Sequence, residues 1–85
     1  MSAETELQVV RMHRLEGESK LKAFVDVAIS GFVVTGLRIV EGKNGLFIGM
    51  PQEKAKDGKW YNSFYPANKD SERQLSEVVI NAYQQ

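Results

Sequence analysis

The sequence of 85 residues predicts an α+β fold: an antiparallel sheet of four to five strands with a C-terminal amphipathic helix. Three observations carry this. The chain up to Met50 alternates in side-chain character with the two-residue period of strands. Clusters of Gly, Asn, Ser and Pro divide that stretch into short runs. Beyond Pro66 the apolar residues change to the spacing of a helix stripe.

Leu7 to Leu15 is the first strand, with Leu7, Val9, His13 and Leu15 on one face and Val10, Met12 and Arg14 on the other. Leu21, Ala23, Val25, Val27 and Ile29 alternate with Lys22, Phe24, Asp26 and Ala28, as a central strand half buried on a sheet does. Glu16 to Ser19 holds a glycine and no apolar side chain, which suits a hairpin loop of about four or five residues. Phe32 to Glu41 is β-branched and gives a third strand, with Gly36 at a bulge or a close approach. Gly42-Lys-Asn-Gly45 then turns the chain into a fourth strand, Leu46 to Met50, which Pro51 ends because it cannot donate to a ladder. Gln52 to Lys59 is polar, contains the turn pair Asp57-Gly58 and is expected to leave the sheet as a loop. Trp60 to Tyr65 reads as a short aromatic edge strand ended by Pro66. Leu75, Val78, Val79, Ala82 and Tyr83 fall at helical spacing, so a helix from about Lys69 to Tyr83 presents one apolar stripe. Asn68, Asp70 and Ser71 are its candidate caps.

A chain of this length forms one domain, residues 1–85, with residues 1–6 expected to fray. It buries only about 60 to 65% of the surface its unfolded form exposes, so a second copy is the expected source of further stability. No cysteine is present, which excludes disulfides and thiolate metal sites and suits a reducing compartment. The first six residues hold neither a basic region nor an apolar stretch, and no apolar run approaches the roughly 20 residues of a membrane helix. A cytoplasmic protein without a membrane span is expected. Eleven basic residues balance eleven acidic ones, whereas a dedicated nucleic-acid domain usually carries a large positive excess.

Nothing points to catalysis. His13 is the single histidine, so a multi-histidine metal site is excluded and a triad would have to use this one ring. The glycines at 42, 45 and 49 match neither GxGxxG nor GxxxxGK[ST], and a turn plus a closely packed strand accounts for them. The carboxylates form no pair that strand or helix geometry must bring together. No enzyme, cofactor or metal is expected. Trp60, Tyr61, Phe64 and Tyr65 stand beside Lys54, Lys56 and Lys59. Such a group is a stacking platform for single-stranded nucleic acid, or else core or a dimer interface, and Trp60 with Phe64, which share a face, is assigned to a dimer interface because aromatics are enriched there.

Leu37-Arg-Ile-Val-Glu-Gly-Lys-Asn-Gly-Leu-Phe-Ile-Gly-Met-Pro51 resembles the stage V sporulation protein G family, where an IRV-type strand meets a GNNGLF-type turn and ends in MP. The likeness continues through Asp57-Gly58, Trp60, Pro66 and Asn68, back to Leu7, Val9 and Arg11, and forward to Tyr83, so it covers nearly the whole chain. It implies a homodimeric α+β protein, made chiefly by bacteria, that affects septation, sporulation or virulence programmes and binds DNA, in some members RNA. It also implies nucleic-acid contact through basic residues after the MP dipeptide and at the start of the C-terminal helix, here Lys54, Lys56, Lys59 and Arg73. Where the family pattern has two adjacent basic residues this chain has Glu53 and Lys54, and where it has an arginine near the helix start this chain has Glu72, with Arg73 next. Residues 38–59 still hold five basic side chains against three acidic ones. The other reading of these lysines is that they are solvated loop charges. The rival function is a protein-interaction module of the division or transcription machinery, working through a sheet edge or the aromatic strand.

Overall fold

The computed structural model describes residues 6–85; of the stretch 1–6 expected to fray, residues 1–5 lie outside it. Four strands, β1 (Leu7–Arg14), β2 (Leu21–Ile29), β3 (Phe32–Gly42) and β4 (Gly45–Gly49), form one antiparallel sheet in chain order. A separate hairpin of β5 (Gln52–Lys54) and β6 (Trp60–Asn62) follows, and then the helix α1 (Lys69–Gln84). The fold is α+β, as the periodicities predict.

The core lies between one sheet face and the helix. Ala23, Val25 and Val27 from β2, Leu37 and Ile39 from β3, and Leu75 and Val79 from α1 are buried, ringed by half-buried residues including Leu7, Val9, Met12, Ile48 and Phe64. Among the described residues the two central strands supply five of the seven buried side chains, because only they have strand neighbours on both sides. Asn68 is the cap: its backbone is extended and its side-chain oxygen accepts from the Ser71 amide at 2.8 Å, satisfying one of the orphan N–H groups of the first turn.

Three register shifts decide which side chains face away from the helix, and the one between Leu21 and Ala23 sets Leu21 opposite Val40, on the face of Phe47 and not on that of Ala23. Thr35 and Gly36 together oppose Asp26, and Gly36 takes φ +87°, a value that costs glycine nothing. The bulge puts Val34 on the same side as Leu37 and Ile39, so all three pack inward. A further shift, between Val9 and Arg11, was not foreseen in the alternation. It turns Met12 to the core beside Leu7 and Val9, and sends His13 to the opposite face as the partner of outward Phe24. The expected sharing of a face by His13 with Leu7 and Val9 is thereby corrected, because one inserted residue reverses every later side chain.

The segment after Pro51 also differs. Gln52 to Lys54 is a strand, and Trp60 to Asn62 pairs with it instead of edging the main sheet. The turn chemistry explains this. Lys59 N donates to Asp57 Oδ1 at 2.9 Å, Gly58 N to Ala55 O at 3.0 Å and Ala55 N to Lys59 O at 2.9 Å, closing a tight loop that holds the two short strands together. Ser63 N donates to Pro51 O at 2.8 Å and fastens the base of this arm.

Candidate nucleic-acid interface

Every residue of β5 and β6 is exposed. Strand alternation gives the arm two different sides. Gln52 pairs with Asn62 and Lys54 with Trp60, so these four share one side, and Gln52 Nε2 donates to Asn62 Oδ1 at 2.9 Å. Glu53 and Tyr61 share the other, where Tyr61 donates its hydroxyl to Asp57 Oδ2 at 2.7 Å. The bonds from the Lys59 amide and the Tyr61 hydroxyl hold the Asp57 carboxyl below the usual carboxylate range, and the same carboxylate holds the Tyr61 phenol above its ordinary value.

The four expected cations fall on two elements. Lys54 stands on β5 opposite Trp60, and Lys56 and Lys59 flank the Asp57-Gly58 turn at the arm's end. All three are exposed. Arg73 lies in the second turn of α1, and its Nη2 sits 3.1 Å from Asp70 Oδ1, so part of its charge is already answered. The two expected interface aromatics are separated: Trp60 is 62% exposed on the arm, while Phe64, beyond the end of β6, packs against the core. Tyr61 and Tyr65 remain wet, and Tyr65 joins Gln52, Trp60, Tyr61 and Asn62 around an open cleft of about 560 Å³.

A surface that sequence reasoning missed lies on the sheet face away from α1. The cross-strand row His13, Phe24, Arg38 and Gly49 runs over all four strands, and Phe24 and Phe47 are 41% and 50% exposed. Gly49 leaves room for the guanidinium, since a Cβ there would stand 3.4 Å from Arg38 Nε. Where the sheet meets the arm, a second open cleft of about 620 Å³ is lined by Gly36, Arg38, Pro51, Gln52, Glu53 and Trp60, among others. The signal in the sequence was Phe24, which the alternation of β2 already sets on the face opposite Ala23 and Val25; what the alternation does not show is that Phe47 and Arg38 share that face. Among the described residues no group of three or more His, Asp or Glu side chains is placed to hold a metal ion, and no helix is long and apolar enough to cross a membrane.

The class so defined is a small sheet-and-helix protein that presents an exposed aromatic and basic hairpin. A family model described as SpoVG matches residues 5–85, and the chain belongs to the SpoVG family. Relatives carrying the name "Putative septation protein SpoVG" include one from Symbiobacterium thermophilum, 43% identical over 75 residues that make up 87% of this chain and 54% of that protein. Another, from Archaeoglobus fulgidus, is 35% identical over 81 residues, 94% of this chain and 95% of the relative. A third, from Clostridium perfringens, is 36% identical over 76 residues, 88% and 84% of the two chains. This chain thus spans about half the length of the first of these and most of the other two.

Proposed function

We propose that the chain is a non-catalytic cytoplasmic regulator of the septation and sporulation type that works as a homodimer and contacts DNA or RNA with its arm. The observation that carries this reading is the arm itself, which holds three exposed lysines, Lys54, Lys56 and Lys59, around an exposed indole. Lysines follow a phosphate backbone and aromatic faces accept any base. Arg73 adds a fourth, partly neutralised cation. Glu53 and Asp57 lie on the same arm, so its net charge is small and binding is expected to be weak and salt-sensitive. Three phosphate contacts give a slope of log affinity against log salt of about −2 for single strands and about −2.7 for duplex.

Anisotropy titrations of labelled single-stranded and duplex oligonucleotides at about 50 mM salt test it. Joint replacement of Lys54, Lys56 and Lys59 by Gln is expected to remove most of the binding and flatten the salt slope. Absence of binding to any DNA or RNA at micromolar protein rejects the nucleic-acid reading. The balanced charge of the chain favours a second reading, a protein-interaction module of the division or transcription machinery. Under that reading a partner stays bound after the three lysines are neutralised.

A further inference from the structure

The side of the arm that carries Trp60 holds more than a stacking face. Gln52, Lys54, Trp60 and Asn62 share that side by strand register. Trp60 and Tyr65 are 62% and 67% exposed, and with Gln52 and Asn62 they stand around the open cleft of about 560 Å³. Two wet aromatic rings and two side-chain amides therefore meet at one concave place. Ligand sites are built in this way, from flat apolar walls with a few placed polar groups.

The amides say what kind of ligand the walls suit. Gln52 Nε2 donates to Asn62 Oδ1 at 2.9 Å, which leaves Gln52 Oε1 to accept and Asn62 Nδ2 to donate on the same side of the arm. The bond also orders both side chains in advance, so less rotamer freedom is lost when a ligand arrives. An unpaired base presents the complementary pattern, a donor next to an acceptor on its Watson–Crick edge, together with a face that stacks on aromatic rings. In a duplex that edge is taken by the opposite strand and the face is covered by the neighbouring bases. Lys54 stands opposite Trp60 on β5, so a cation lies beside the stacking ring, where the backbone of a stacked nucleotide passes.

We propose that this cleft holds one unpaired base of a single-stranded nucleic acid, stacked on the Trp60 indole with its pairing edge on Gln52 and Asn62 and its phosphate beside Lys54. Tyr65 forms the second aromatic wall. The inference rests on the nucleic-acid reading above and deepens it: the lysines follow the backbone of any strand, whereas the cleft selects single strands over duplex. Every unpaired base offers a donor and an acceptor on that edge, so the preference is for strand state and not for a particular sequence.

Trp60 is the single tryptophan, so indole emission of the unmodified chain reports on the stack directly. Titration of the full chain at about 50 mM salt with a mixed-sequence single-stranded oligonucleotide is expected to quench that emission, and the same sequence as a blunt duplex to leave it unchanged. Anisotropy of the labelled strand should show binding about tenfold tighter than to the duplex. Trp60→Leu is expected to weaken single-strand binding about tenfold while keeping the salt slope, because stacking releases no counterions, and Trp60→Phe should recover most of the loss. Asn62→Leu, with the fold checked by circular dichroism, should weaken single-strand binding about fivefold. Binding to neither strand form at micromolar protein rejects the nucleic-acid reading and the cleft together. Binding that prefers duplex, leaves Trp60 emission unchanged or survives Trp60→Leu at full strength keeps the nucleic-acid reading and overturns the cleft. Loss in Trp60→Leu with none in Asn62→Leu overturns the contact to the pairing edge.

Discussion

Tyr61 and Asp57 stand four positions apart on either side of the arm's turn, and their hydrogen bond of 2.7 Å couples the turn to its second strand. The bond needs a carboxylate and a protonated phenol. Asp57 is held below its ordinary value, first by the Lys59 amide and then by Tyr61, so its contribution is complete above the usual carboxylate range and disappears as pH falls through its lowered value. Tyr61 is held above its ordinary value by Asp57, so its contribution is complete below about pH 10 and disappears as pH rises through the raised value. Between those limits the arm keeps its shape. Spectrophotometric titration of the tyrosines should show one phenol ionising later than the others, and Asp57→Asn should bring that phenol back toward the ordinary range. An unchanged late phenol in Asp57→Asn would assign the shift to another residue. Neither partner was visible as a partner in the sequence, because Asp57 read as a turn residue and Tyr61 as a wet edge aromatic. Their meeting depends on the pairing of β5 with β6, which the polar composition of Gln52 to Lys59 concealed.

At the level of elements, α1 has no basic residue in its last turn, and the sheet supplies one. Arg14, near the end of β1, donates to the backbone oxygens of Tyr83, of Ala82 at 3.2 Å and of Gln85 at 3.4 Å, and its guanidinium lies 5.0 Å from the centre of the Tyr83 ring. A cation at the negative end of the helix answers the dipole and the unpaired carbonyls at once. Arg14→Ala is expected to cost about 1 kcal/mol, lowering the melting temperature by about 4 to 8 °C for a domain of this size. Arg14→Lys should fall between, since an ammonium keeps the charge and loses the fork. A melting temperature unchanged in Arg14→Ala would deny the clamp any weight. The helix itself was legible from the spacing of Leu75, Val79 and Tyr83, and the β3 bulge from Gly36. The clamp was not, because the alternation places Arg14 on a face with Val10 and Met12 and says nothing of what passes over it. The site was legible in part by the same logic: composition located its lysines and aromatics, while only the pairing of the arm separated Trp60 from Phe64 and set Lys54 beside Trp60.

The molecule as a whole is broad and thin, 43 × 38 × 23 Å, with a radius of gyration of 13.5 Å where about 12 Å is usual for 85 residues. A sheet with one covered face and a projecting hairpin has that shape, and its cost appears in the core, where seven side chains among the described residues are buried. So small a core stabilises a lone chain only marginally once the conformational entropy of ordering the backbone is set against it. If two copies cover each other's open faces, folding and association become one equilibrium, and stability depends on concentration. Each tenfold rise in chain concentration then adds about 1.4 kcal/mol per dimer and raises the melting temperature by about 3 to 5 °C. Calorimetric melts over a hundredfold range of concentration measure this directly. A melting temperature independent of concentration would mean that the seven-residue core and its half-buried ring hold the chain alone, and that the open face is kept for something other than a second copy.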